Sequence, residues 1–278
     1  MQINVNDEYS TLKSVIVASA KTYFDHEAIN DNQAYYYQIS PPSKELLLKQ
    51  QDVFFQTLYN HGVELIFASP LNECPDQMNT RDPSFCIGNK IFISSMKESI
   101  RASEKRGLVQ IMSRIETPII QLTECSIEGG DIIVMGNTIY VGISRRTTVE
   151  AIELLKKHLD NNYSVIPVYL RKGFLHLDTV FNILDEKTAI CCLEAISISS
   201  AEMLKRDFSL IPITLKEQRL LGTNILSIAP HKVISQIQNS RINEELKEQG
   251  YYITELDYTE AAKLGGAFRC ATCPIYRD

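Results

Sequence analysis

The sequence predicts an α/β fold, a five-bladed, pseudo-symmetric αβ propeller built from ββαβ units. Three observations lead there. Two short apolar strands joined by a polar turn, then an amphipathic helix and a third strand, recur along the chain. The turns recur at intervals of roughly 45 to 50 residues, the range in which repeats imply propellers or solenoids. The apolar N-terminal strand Val15-Ile16-Val17 can pair with strand residues near the C-terminus, which would close five units into a ring around a channel.

The first unit is visible in part, as strand Ser14 to Ala18, helix Lys44 to Asn60 and strand Val63 to Ala68. The second opens with a hairpin, Phe85 to Ser94, turning at Gly88-Asn89-Lys90. A helical stretch from Glu98 to Arg114 and the strand Pro118 to Leu122 complete it. In the third, Ile132 to Ile143 turns at Gly136-Asn137, and Thr147 to Leu159 places Val149, Ile152, Leu155 and His158 at helical spacing. Its last strand is Ser164 to Leu170. The fourth runs from Thr179 to Leu193 around Asp185-Glu186-Lys187, then Ser200 to Arg206 and Leu210 to Ile213. The fifth runs from Asn224 to Ile237 around Pro230-His231-Lys232, then Glu244 to Gln249 and Tyr251 to Leu256. Ala20 to Pro42, rich in Tyr, Asn and Asp, fits none of these units and is a candidate lid. Residues 1–278 are read as one catalytic domain.

A hydrophobic content of 44% and a charged content of 22% are those of a globular protein. The net charge of -6, with no concentration of Lys and Arg, argues against nucleic acid. The densest basic spot, Lys156-Lys157-His158, suits a helix C-terminus. No segment approaches the roughly 18 consecutive apolar residues of a membrane span. Met1 to Glu8 has neither the basic region nor the apolar run of a secretory signal. Seven cysteines without such a signal predict free thiols and a cytoplasmic location. A homodimer is compatible with these bounds.

Four segments carry chemistry. Near the C-terminus, Gly265-Gly266 leads into Cys270; glycines admit close backbone approach and a thiolate is a strong nucleophile. The others are Thr80-Arg81-Asp82-Pro83, Glu128-Gly129-Gly130-Asp131 and His176-Leu177-Asp178-Thr179. Each has a plain alternative: Asp82 starting a turn before Pro83, Glu128 in a turn entering a strand, and His176 with Asp178 as a surface histidine and a turn cap. Cys270 and Cys273 form a C-x-x-C, but zinc would need two further ligands and a redox pair would open a helix. The spacing is read as coincidence, with Cys273 packing; Cys191-Cys192 is read as core. All four segments fall where one unit passes into the next, which gathers them at one mouth of the channel. Clustered carboxylates need a cation, and without a metal-ligand set the natural occupant is organic. A planar guanidinium matches carboxylate oxygens in pairs, so the expected partner is a small guanidino molecule, with no cofactor and no metal.

These motifs, in this order, resemble the guanidino-group modifying enzyme superfamily of arginine deiminases, dimethylarginine dimethylaminohydrolases and amidinotransferases. The likeness runs from about Asn79 to the end and implies the pentein type of propeller. It implies Cys270 as nucleophile, His176 as general acid and base, Glu128 as the carboxylate orienting the imidazole, and Asp82 and Asp178 as the grip on the guanidinium. Arg101 and Arg146 match arginines that bind the substrate carboxylate, with helix-surface charges as the alternative. The implied mechanism is thiolate attack on the guanidino carbon, departure of an amine and hydrolysis of a thiouronium-type intermediate. The leading expectation is a hydrolase of arginine or an arginine derivative. An amidinotransferase is the alternative, and a ribosome anti-association factor-like binding protein the remote one. The chain lacks room for the helical insert of deiminases. His-Leu-Asp-Thr is similar to deiminases and amidinotransferases, Phe268 to Cys273 resembles the amidinotransferase ending, and Asn79 stands where deiminases usually carry an aromatic residue.

Overall fold

An antiparallel hairpin followed by a helix returns its third strand parallel to the second, because only a crossover can bring the chain back to the same end of the sheet. The computed structural model describes residues 1–278 and shows this solution five times. The first blade contains β1 (Leu12–Val17), α1 (Asp31–Ile39), α2 (Lys44–Asn60) and β2 (Glu64–Phe67). The second is β3 (Ser84–Ile87), β4 (Lys90–Ile93), α3 (Val109–Met112) and β5 (Ile119–Gln121). The third is β6 (Ile132–Met135), β7 (Thr138–Ile143), α4 (Glu150–His158) and β8 (Ser164–Tyr169). The fourth is β9 (Phe181–Ile183), β10 (Thr188–Cys191), α5 (Ile198–Asp207) and β11 (Ser209–Pro212), followed by the short α6 (Leu215–Arg219). The fifth is β12 (Leu226–Ala229), β13 (Lys232–Gln236), α7 (Ser240–Glu248) and β14 (Tyr252–Leu256); α8 (Thr259–Lys263) and β15 (Cys273–Arg277) follow.

The ring closes on the first blade. β15 pairs antiparallel with β1, setting Ile16 opposite Cys273 and Val15 opposite Pro274, while β2 pairs parallel on the other side of β1. The chain thus forms a five-bladed αβ propeller of pentein type. Apolar faces of the helices pack on the sheets: Leu47, Phe54 and Leu58 on one face of α2 are fully buried, with Gln51 among them. Cys191 and Cys192 lie in the apolar cluster around β9 and β10, and Cys273 in the one around β1. Lys156, Lys157 and His158 occupy the last turn of α4. No helix is long and apolar enough to cross a membrane.

Two segments differ from the sequence expectation. Glu98 to Arg114 is not a continuous helix; it forms 3-10 turns at Ser99–Arg101 and Glu104–Leu108, then the single turn of α3. Burial explains the break, because Arg101 and Glu104 turn inward as a bonded pair instead of facing solvent. Ala20 to Pro42 is more regular than expected, since α1 occupies its centre, capped by the Asn30 side chain accepting from Gln33 N–H.

Candidate active site

The chemistry-bearing residues occupy one equivalent position in every blade, just ahead of its inner strand. Asp82 precedes β3, Glu128 precedes β6, His176 caps and Asp178 lies within a 3-10 turn before β9, and Cys270 precedes β15. The fifth blade supplies Asn224 before β12, a residue the sequence reading did not single out. The signal was present, because the fifth unit starts at Asn224 and pseudo-symmetry gives it the same address as the others.

Asn224 holds the cysteine in place. Its Oδ1 accepts from the backbone N–H groups of Ala267, Arg269 and Cys270 at 3.2, 3.0 and 3.2 Å, and its Nδ2 donates to Cys270 Sγ at 3.1 Å. Cys270 Sγ also lies 3.5 Å from Asp178 Oδ2. Burial, with Asp178 and Asp82 nearby, pushes this thiol well above its ordinary value. Gly266 keeps the backbone close here: a Cβ would collide with the Asn79 carboxamide and come within 3.1 Å of Cys270 Cβ.

His176 is fully buried, and its Nε2 donates to Glu128 Oε2 at 2.8 Å while its Nδ1 faces Asp82 Oδ1 at 3.5 Å. Burial opposes a charged imidazole, but Asp82, Glu128 and Asp131 outweigh it and raise His176 to about 9. Burial likewise opposes ionisation of Glu128, yet His176 and Arg146 hold it down at about 2. The pair is therefore imidazolium and carboxylate at neutral pH, so His176 starts as an acid. Gly130 makes this approach sterically feasible, since a Cβ there would stand 2.7 Å from both Asp82 Oδ1 and His176 Nδ1.

Arg101 and Arg146 are buried, not helix-surface charges. Arg101 donates to Asp82 Oδ2 at 2.6 Å and makes a two-pronged contact with Glu104 at 2.8 and 2.9 Å. Arg146 donates to Glu128 Oε2 at 3.1 Å and to the Ile29 carbonyl at 2.8 Å. Donor atoms of Asp82, Glu128 and His176 lie within 4.8 Å of one another. That spacing could suit a cation, but Arg101 and Arg146 already match both carboxylates and an imidazolium cannot ligate.

The segment around α1 is anchored beside this group. Asn30 Nδ2 donates to the Leu264 carbonyl at 3.0 Å, Asn32 Nδ2 to the Ala262 carbonyl at 3.1 Å, and His26 Nε2 pairs with Asp76 at 3.1 Å. Beside it, a cleft of about 660 Å³ is lined by Ile29–Asp31, Ile143–Arg146 and residues 170–175, the stretches that run into Arg146 and His176.

The family described as N,N dimethylarginine dimethylhydrolase, eukaryotic, matches residues 20–277. The chain is 37% identical over 270 residues to the uncharacterised protein YkgA of Bacillus subtilis, covering 97% of this chain and 94% of YkgA. It is 29% identical over 256 residues to the arginine deiminase of Limosilactobacillus fermentum, covering 75% of this chain and 63% of the deiminase. In fold it is similar to the N-terminal domain of ArgZ, a cyanobacterial arginine dihydrolase solved with its product: the TM-score is 0.87 at 19% identity, covering 95% of this chain and 97% of that one.

Proposed function

The chain belongs to the N,N dimethylarginine dimethylhydrolase family, and from that premise we propose that it hydrolyses the guanidino group of arginine or an arginine derivative through a covalent thiouronium intermediate on Cys270. The observation that carries this reading is the placement of Asp178 3.5 Å from the Cys270 thiol, with the Asp82 and His176 pair 3.5 Å apart in the same buried group. A guanidinium held by Asp82 and Asp178 would offset the two carboxylates that keep the thiol protonated, so substrate binding itself favours the thiolate.

Attack of the thiolate on the guanidino carbon forms a C–S bond and a tetrahedral adduct. The His176 imidazolium donates its proton to the departing nitrogen, the C–N bond breaks, and the imidazole then takes a proton from water as it attacks the thiouronium carbon. Glu128 holds the ring throughout and stabilises its charged form. The second adduct collapses to a C=O bond as its C–S bond breaks and the hydroxyl proton passes to the departing sulfur. The products of this first cycle are an amine or ammonia and a ureido compound, with the Cys270 thiol regenerated.

Asn79 favours a second reading, in which the ureido product is hydrolysed again at the same cysteine; ArgZ is described as an arginine dihydrolase. Its carboxamide stands against Gly266 beside Cys270, where it can hold a water or a ureido oxygen that an aromatic ring would exclude.

One assay separates the readings. The protein is incubated with arginine and methylated arginines, with and without glycine or lysine, and products are identified by mass spectrometry. Citrulline with ammonia or a methylamine is the expected outcome of single hydrolysis. Ornithine formed without an acceptor indicates the double hydrolysis, and ornithine with a new guanidine only in the presence of acceptor overturns both in favour of transfer. Cys270→Ser should abolish turnover and Cys273→Ser should retain it; the reverse result overturns the assignment of the nucleophile.

A further inference from the structure

The residues ahead of β1 form no strand of a blade, yet they cross the end of the ring that carries the hairpin turns. Asn4 bonds the Ile275 carbonyl on β15, Val5 bridges Gly88 at the β3–β4 turn, and Gly136 at the β6–β7 turn donates to the Asn6 carbonyl. These turns lie at the far end of the strands that Asp82 and Glu128 enter, so the segment closes the channel opposite the catalytic group. Besides the apolar Ile3 and Val5, it buries one charged side chain. Glu8 is buried, accepts from Val134 N–H at 3.0 Å, and pairs with Arg81 at 2.7 Å and Arg269 at 3.0 Å. Arg269 is the neighbour of Cys270 in sequence, and its Nη1 stands 3.6 Å from Asp178 Oδ2. A continuous chain of charge therefore runs from Glu8 through Arg269 and Asp178 to the thiol, on side chains screened from water.

We propose that Glu8 is a positioning residue which, through Arg269, sets the charge that Asp178 and the Cys270 thiol experience. Burying a guanidinium beside the nucleophile has two opposed effects. It favours the thiolate and disfavours a cationic substrate. Glu8 tempers that field from the far end of the channel, leaving Asp178 the negative charge it needs to hold a guanidinium while Arg269 still faces it. The balance is close, because Arg81 and Arg277 also lie against Glu8 and add to the same positive field. The groups facing the thiol itself are Asp178, Asp82, Arg269, Asn224 and Tyr258. Glu8 precedes residue 20, where the family match begins.

The inference rests on the guanidino reading for one of its two measurements and needs no substrate for the other. In the full-length protein, Glu8→Gln removes the charge while keeping the side-chain volume. The pH profile of Cys270 alkylation by neutral iodoacetamide, read on the Cys270 peptide by mass spectrometry, should shift down by about one pH unit. Its KM for arginine should rise by about tenfold with kcat changed less. Arg269→Gln should move the alkylation profile in the opposite direction, and Glu8→Asp should fall between wild type and Glu8→Gln. Opposite shifts for the two Gln variants support the proposal even if no guanidino compound is turned over. Shifts of the same sign, or an unchanged profile in both, overturn it. If Glu8→Gln does not fold, the Arg269→Gln profile decides alone, and its failure to rise sinks the idea.

Discussion

His176 Nε2 sits 2.8 Å from Glu128 Oε2 with both side chains withdrawn from solvent, and this pair carries opposite charges in the folded chain. Each partner ties the stability of the fold to pH. For His176, raised from 6.5 to about 9, the contribution is fully present below pH 6.5 and is lost as pH rises through 9. For Glu128, lowered from 4.5 to about 2, it is present above pH 4.5 and lost as pH falls through 2. Glu128→Gln should therefore lower Tm most between pH 4.5 and 6.5, by roughly 5 °C or more. At pH 10 the deficit should shrink. Thermal melts of both proteins at pH 5.5 and pH 10 check this, and an identical deficit at the two values contradicts it.

Asn224 is expected to matter for rate more than for binding. Asn224→Ala leaves three buried N–H groups around Cys270 without their acceptor, and the thiol without its donor. Turnover should fall by about 100-fold with KM within a few-fold of wild type. Steady-state kinetics on the guanidino compound that the product assay shows to be turned over provide the comparison. An unchanged kcat would show that the cysteine holds its geometry without Asn224.

Gly130→Ala places a methyl group against both Asp82 and His176. Overpacking of this kind costs about 1–3 kcal/mol, and here the strain falls on two groups that the proposed reaction uses. The expected result is a lower denaturant midpoint together with a loss of activity of more than tenfold. A variant that keeps wild-type kinetics would mean that the His176 ring can shift without consequence.

Much of this architecture was legible in the sequence because its units repeat. Helix α2 was readable to its ends, since Leu47, Phe54 and Leu58 mark one face and Ser43 caps its start. Ring closure was readable from Val15-Ile16-Val17, which pairs with the strand holding Cys273. The chemistry-bearing segments were readable as short motifs, and the structure brings Asp82, Glu128, His176, Asp178 and Cys270 to equivalent blade positions. Asn224 escaped because an asparagine entering a strand has no chemical signature of its own; only its address in the repeat marks it. The stretch around Arg101 escaped for a different reason. Its apolar spacing suggests a helix, whereas the buried bonds from Arg101 to Asp82 and Glu104 determine its path, and such long-range partners are invisible to local periodicity.

Because β1 is completed by β15, the blades do not mature in the order in which the ribosome makes them. Four of them gather their strands from one continuous stretch and can form as they emerge. The first must wait with one edge of β1 unpaired until nearly the whole chain has been synthesised. Cys270 lies just ahead of the strand that completes it, so a nascent chain carries Asp82, Glu128, His176 and Asp178 long before it carries that thiol. Cys270 and ring closure thus arrive together, and a partly made chain holds the other members of the buried group without its thiol.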